Sequence, residues 1–151
     1  MSYKFVTKLN LPEYKLKYKE TEKGLSVFDI VRKKYILLTP EEYVRQQFIN
    51  YLIQEKQYPR GLLAVERQLK IYKLTKRTDI VLHDKIGNIS VIIECKAPKV
   101  KISQDVFDQI ARYNLSLKAK YLMLTNGLQH YYCEMNFEKE TYVFLEELPN
   151  V

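Results

Sequence analysis

Three ionisable side chains stand inside apolar runs that read as core strands: Asp79 in "TDIVLHD", and Glu94 and Lys96 in "VIIECKAP". An unpartnered charge in a core is costly, so these residues need either one another or a ligand. Side chains alternate along a strand, which sends Glu94 and Lys96 to one face with Ile92, and Val91, Ile93 and Cys95 to the other. Asp79 comes from the neighbouring strand and can stand beside Glu94. Two adjacent carboxylates repel, and each loses solvation. A hard divalent cation such as magnesium takes oxygen ligands and removes that conflict. A nearby lysine can then orient or help deprotonate a metal-bound water. This set of parts suits phosphodiester hydrolysis. The competing reading is a half-buried Asp–Lys–Glu ion-pair network, because a bare Asp…Glu-x-Lys also arises by chance.

Further polar residues fall at helical spacing. Gln109 and Tyr113, in "DQIARY", stand four apart and share one helical face. By themselves they read as an exposed Gln and a half-buried Tyr; with a site nearby they line one cleft. On a helical wheel Glu41 falls near the middle of the stripe formed by Val44, Phe48 and Leu52. Glu42 falls nearer the edge, where it suits a capping box with Thr39. Arg45 stands four after Glu41, so an intrahelical ion pair is an alternative use of that acid.

The elements that must position these residues can be read from the pattern. "YKLKYKE" (Tyr14 to Glu20) alternates as an exposed strand does, "EKG" (Glu22 to Gly24) is a turn, and Leu25 to Leu38 reads as further strand. A helix follows, with Thr39 as N-cap, Pro40 in its first turn and its end near Lys56. Strands are expected over Leu62–Tyr72, Thr78–Asp84 and Ile89–Ala97, the last two joined by Lys85 to Asn88. Ser103 caps a second helix running to about Leu117, with Val106, Phe107, Ile110 and Leu117 on its apolar face. A strand over Lys120–Gly127 and a hairpin from "LQHYYCEMN" and "TYVFLEE" close the chain. The helix between the third and fourth core strands permits a parallel crossover. The expected fold is α/β: a central mixed sheet flanked by helices in the order α-β-β-β-α-β, with extra N-terminal strands and a C-terminal hairpin.

The length, 151 residues, points to one domain, with residues 1–38 as an extension packed on a core of 39–151. No apolar run is long enough to span a bilayer, and the N-terminus lacks a signal-peptide pattern. Two cysteines, Cys95 and Cys133, give no disulfide framework and no zinc spacing, which fits a reducing, cytoplasmic setting. A formal charge of +7 suits a nucleic-acid partner and equally a lysine-rich soluble surface. His83 and His130 are isolated, Cys95 faces the apolar layer, and Ser103 and Ser116 lack triad partners, so nucleophilic catalysis is set aside.

Asp79, then Glu94-x-Lys96, then Gln109-x-x-x-Tyr113, in that order, resembles the PD-(D/E)xK nuclease superfamily, in its branch with the Gln-x-x-x-Tyr extension. The longer phrases "LTPEEYVRQQFINYL", "TDIVLHD", "VIIECKAP", "DQIARYN" and "YLMLTNGLQHYYC" are similar to the N-terminal nuclease domain of type I restriction enzyme R subunits. The resemblance runs from about Phe28 to Pro149. It implies a restriction-endonuclease-like fold and Mg2+-dependent cleavage of DNA, with Mn2+ as a substitute. It implies Asp79 and Glu94 as metal ligands, joined by the Cys95 backbone carbonyl. Lys96 is then the residue that positions the attacking water, and Glu41, or alternatively Glu42, is the first-helix acid. Gln109 and Tyr113 orient the site or contact DNA. Lys73, Lys76, Arg77, Lys99 and Lys101 flank the catalytic strands, as phosphate contacts or as a solvated rim.

One departure accompanies the resemblance. Type I R subunits carry an ATP-driven motor after the nuclease domain, and no Gly-x-x-x-x-Gly-Lys occurs here. The chain is then a small free-standing relative or a fragment, and restriction-modification subunits or a separate motor are the expected partners. The alternative functions are a non-catalytic nucleic-acid-binding module that kept the fold, and an interaction domain whose buried charges merely pair.

Overall fold

The computed structural model describes residues 8–71 and 74–149, except for the side chains of 68–71 and 74–76. Two sheets lie along the described residues. The first is three-stranded, in the order β1 (Tyr18–Thr21), β2 (Gly24–Asp29), β3 (Lys34–Leu37), antiparallel throughout. The alternation of Tyr14 to Glu20 therefore yields a strand only from Tyr18. Upstream, Tyr14 instead pairs with a helix side chain: its N–H donates to Gln47 Oε1 at 3.0 Å, and Gln47 Nε2 donates back to its carbonyl at 3.1 Å. The stretch from Leu25 to Leu38 is not one strand but a hairpin. Its turn is fixed by Asp29, whose Oδ1 accepts the N–H groups of Val31 and Arg32 at 2.7 and 2.8 Å.

Helix α1 spans Pro40–Gln54. Its start follows from sequence chemistry: the Thr39 side chain accepts the Glu42 N–H, Pro40 needs no donor there, and Glu41 and Glu42 favour the positive end of the dipole. The helix is buried on two sides. Val44, Phe48, Ile49 and Leu52 pack on the main sheet, while Tyr43 packs with Val27 and Leu38 of the N-terminal unit. This explains why Gln46, Gln47 and Asn50 are buried although they are polar.

The main sheet has six strands in the order β4 (Leu63–Ile71), β5 (Leu74–His83), β6 (Ile89–Cys95), β7 (Tyr121–Thr125), β8 (His130–Asn136), β9 (Thr141–Leu145). Only β6–β7 is parallel, bridged by α2 (Gln104–Leu117) as the crossover; every other pair is antiparallel. The fold is thus α/β, with a central mixed sheet flanked by two helices, in a restriction-endonuclease-like arrangement. β5 begins at Leu74 rather than Thr78, because β4 and β5 form a long hairpin whose polar, basic arm still pairs strand to strand. Lys73 lies outside the described residues, as does the side chain of Lys76.

The sheet separates two apolar layers. Ile80, Leu82, Val91, Ile93, Cys95 and Met123 meet α1; Ile92, Leu122, Leu124 and Cys133 meet Phe107, Ile110 and Ala111 of α2. The period-2 alternation of β6 divides as its sequence dictates. Among the described residues no helix is long and apolar enough to cross a membrane.

Candidate functional site

The centre of interest is the place where β5 and β6 part. Ile80 faces Ile93 as the last paired residues of that ladder, and Asp79 and Glu94 are the next residue on each strand. Ile80 and Ile93 lie in the layer beneath α1, yet Asp79 turns to α1 as well, through Arg45, so simple alternation does not carry past the last ladder pair. Past the last ladder pair the Cys95 N–H finds another acceptor: it donates to Asp79 Oδ2 at 2.8 Å. A buried amide is thereby satisfied by a carboxylate, a charge-assisted bond that fixes one end of the Asp79 side chain. Lys96 follows as the strand ends, half-buried, its N–H donating to the Thr125 carbonyl at 2.8 Å. Glu94 is 7 % exposed.

The other oxygen of Asp79 belongs to α1. Arg45 Nη2 donates to Asp79 Oδ1 at 2.7 Å, and Arg45 Nη1 donates to Glu42 Oε1 at 2.7 Å and Glu66 Oε1 at 3.3 Å. Arg45 therefore pairs with Glu42, Glu66 and Asp79 in place of the intrahelical Glu41 pair that its spacing offers. Burial disfavours its charge, but the Glu42 and Asp79 carboxylates outweigh burial, and the guanidinium is held well above its ordinary pKa.

Arg32, from the N-terminal hairpin, joins the same acids. Its Nε donates to Asp29 Oδ2 at 2.7 Å, Nη2 to Glu42 Oε1 at 3.2 Å, and Nη1 to Glu66 Oε2 at 3.2 Å. Gln46 Nε2 completes the cluster, donating to Asp29 Oδ2 at 2.9 Å and Glu42 Oε2 at 3.1 Å. Burial raises the Asp29 pKa, yet the bonds from Arg32, Gln46 and Val31 prevail and hold it below the usual carboxylate range.

The two candidate first-helix acids have different surroundings. Glu42 is 5 % exposed and committed to Arg32, Arg45 and Gln46, so the sequence-based expectation that it sits near the stripe's edge reverses. The wheel allowed α1 one buried face, whereas the N-terminal sheet covers a second. Glu41 is half-buried. Its pKa is raised, first by burial and then by the negative charge of Asp79, while Arg45 and Lys96 pull the other way. Glu41 thus lies in the electrostatic field of both Asp79 and Lys96.

The Cys95 thiol is fully buried on the α1 side. That is the layer which bears Arg45, not one remote from the acids. Burial and then the Asp79 charge push its pKa well above the ordinary value, so it stays a thiol. Gln109 and Tyr113 stand exposed on α2, whose inward face is formed by Phe107, Ile110, Ala111 and Asn114. Arg77, Lys99 and Lys101 are exposed. His130 has a structural use: its Nδ1 meets Thr125 Oγ1 at 2.7 Å and its Nε2 the Asn10 carbonyl at 2.9 Å.

Asp29, Arg32 and Glu66 escaped sequence reasoning. Glu66 carried a signal, since it is a charge inside the apolar run "LLAVERQLKIY", the same oddity that drew attention to Asp79.

Among the described residues, Asp29, Glu42, Glu66 and Asp79 share the guanidinium groups of Arg32 and Arg45, and Glu41 lies in the field of Asp79, Arg45 and Lys96. The donors on offer are carboxylate oxygens. Carboxylate oxygens are the ligands that a hard divalent cation takes. Among the described residues, no three His, Cys, Asp or Glu side chains are already arranged to grip one.

Comparison with known proteins places the chain. No curated protein matches it. The model of the family described as the type I restriction enzyme R protein N terminus matches residues 40–149, which includes α1, the whole main sheet and α2. The chain belongs to the type I restriction enzyme R protein N-terminus family.

Proposed function

We propose that the chain is a magnesium-dependent DNA endonuclease module of the restriction type. Membership of the type I restriction enzyme R protein N-terminus family supports a nuclease-like role. The observation that carries the finer reading is the end of the β5–β6 ladder. There Asp79 and Glu94 stand one residue beyond the last ladder pair, Lys96 follows two residues on, and Glu41 feels both Asp79 and Lys96. Asp79, Glu94 and the Cys95 carbonyl would hold the magnesium ion. When bound, that ion supplies a Lewis acid and a water of lowered pKa.

The chain's own residues do the rest. Arg45 and the Cys95 N–H fix both oxygens of Asp79, so this acid is oriented before any ligand arrives. Lys96 places a positive charge beside the acids, where it can orient the attacking water and offset charge that develops on the phosphate. Glu41, with its raised pKa, is the candidate proton acceptor. Gln109 and Tyr113 are surface groups on α2 suited to contact DNA. Residues 1–38 act as an extension of the nuclease-like core of 39–151. Restriction-modification subunits or a separate motor supply the target.

A second reading has one observation in its favour. Asp79 is already satisfied by Arg45 and Cys95, and no three-ligand cluster stands ready among the described residues. That suits a nucleic-acid-binding module without cleavage. The deciding experiment incubates supercoiled DNA with wild type, Lys96→Ala and Asp79→Ala, with Mg2+, Mn2+ or EDTA. The nuclease reading expects metal-dependent nicking by wild type alone, with Lys96→Ala still folded by circular dichroism. DNA binding without cleavage by wild type favours the second reading, and full cleavage by Asp79→Ala removes the role given to that acid.

A further inference from the structure

The family match begins at residue 40, yet the N-terminal hairpin sends a side chain to the proposed site. Arg32 and Arg45 share the same two acids. Glu42 Oε1 accepts from both, at 3.2 and 2.7 Å, and Glu66 accepts from Arg32 through Oε2 and from Arg45 through Oε1, at 3.2 and 3.3 Å. Two arginines and two carboxylates therefore close a ring. Arg45 leaves one arm, Nη2, free of the ring to hold Asp79.

Glu66 is held in this ring at a backbone cost. It has φ +53° inside β4, the left-handed region that a non-glycine residue in a strand avoids. The β4–β5 ladder pairs Val65 with Ile80 and Arg67 with Thr78, skipping Glu66 and Asp79 between them. Strain of this kind persists only where its surroundings impose it. Here it sits level with Asp79.

We propose that Arg32 is a positioning residue for Asp79. It acts through the ring: it shares out the Glu42 and Glu66 carboxylates, which sets where the Arg45 guanidinium lies and so where Asp79 Oδ1 is held. Arg32 touches no reacting group. The N-terminal sheet is then part of the machinery that aims the acid. Only the description of Asp79 as a catalytic acid rests on the nuclease reading; the relay itself does not.

The test uses the Cys95 backbone amide, which Asp79 Oδ2 accepts. The 15N-labelled full chain is compared as wild type, Arg32→Met, Arg32→Lys, Asp79→Ala and, as control, Lys34→Met on the exposed edge of the same hairpin. Asp79→Ala defines the chemical-shift displacement of the Cys95 amide when its acceptor is lost. Arg32→Met is expected to move that amide in the same direction and to speed its hydrogen exchange about tenfold, the scale of one weakened hydrogen bond. Arg32→Lys keeps the charge without the fork and should give a smaller displacement of the same sign. Lys34→Met should give none. In a parallel Mn2+ titration, Arg32→Met should bind about tenfold more weakly than wild type, as the loss of a residue orienting a ligand does.

A Cys95 amide that stays in place in the arginine variants overturns the proposal, even if their melting temperatures fall, because Arg32 then only fastens the hairpin. If Arg32→Met does not fold, Arg32→Lys decides by the same signal. Wild type that binds no Mn2+ removes the metal-dependent reading of the site and leaves the relay to be judged by the Cys95 amide.

Discussion

Arg45 and Asp79, 34 residues apart in sequence, meet at 2.7 Å through Nη2 and Oδ1. The guanidinium is 5 % exposed as a side chain, and its other terminal nitrogen, Nη1, is held by Glu42 and Glu66. One side chain thereby joins the first helix to β4 and to Asp79 of β5.

Removing Arg45 should cost more than most substitutions here. Arg45→Met leaves Glu42, Glu66 and Asp79 facing one another without the cation between them. The expected loss is about 3–5 kcal/mol, the usual result of breaking a buried pair from one side. Arg45→Lys keeps a charge but cannot serve three acids with one fork, and should lose about 1–3 kcal/mol. Urea denaturation measures both. A loss under about 1 kcal/mol in Arg45→Met would mean that the acids are held by something else.

Glu41 gives a pH signature of the opposite kind. Its folded-state pKa is raised above the ordinary 4.5, so the folded state binds the proton more tightly than the unfolded one. Stability therefore falls as pH rises from about that value through the raised one. At neutral pH the residue is therefore a net cost to the fold. Glu41→Gln should melt higher than wild type at pH 7 and close to it at pH 4, while cleavage falls. Equal melting temperatures at pH 7 would contradict this account of Glu41.

Asp29 should behave conversely. Its folded pKa lies below the ordinary 3.8, so it stabilises the fold above that value and ceases to as pH falls through the lowered one. Asp29→Asn should lower stability at neutral pH and remove part of the loss that wild type suffers on acidification below pH 3.8. Melting curves across acid pH measure this. Parallel curves for the two proteins would place the acid sensitivity elsewhere.

The N-cap of α1 offers a local test. The Thr39 side chain accepts the Glu42 N–H at 3.0 Å, so Thr39→Ala should cost about 1 kcal/mol. Because the cap sits beside Glu41 and Glu42, cleavage should fall more than that stability loss alone accounts for. Unchanged activity in a variant with the expected melting shift would show that the first turn keeps its acids in place without the cap.

Much of the architecture was written in local pattern. Thr39, Pro40 and Ser103 announced both helices because caps act within one turn. The alternation of Ile89 to Cys95 divided its side chains between two layers, and a helix before the next strand foretold the parallel crossover. The ordered acids, lysine, glutamine and tyrosine, with the phrases around them, were enough to place the chain near its family.

Tertiary structure decided the rest. Whether Glu41 or Glu42 was buried depended on a second sheet covering α1, which no helical wheel contains. The hairpin within Leu25 to Leu38 depended on Asp29 gathering the turn amides and Arg32 together. Above all, the ring of Arg32, Glu42, Arg45 and Glu66 joins three segments distant in sequence. Periodicity and caps are properties of neighbouring residues, and a sequence displays them directly. Charge pairing across elements is set by how packed layers bring side chains within hydrogen-bond reach, and that distance exists only once the chain has folded.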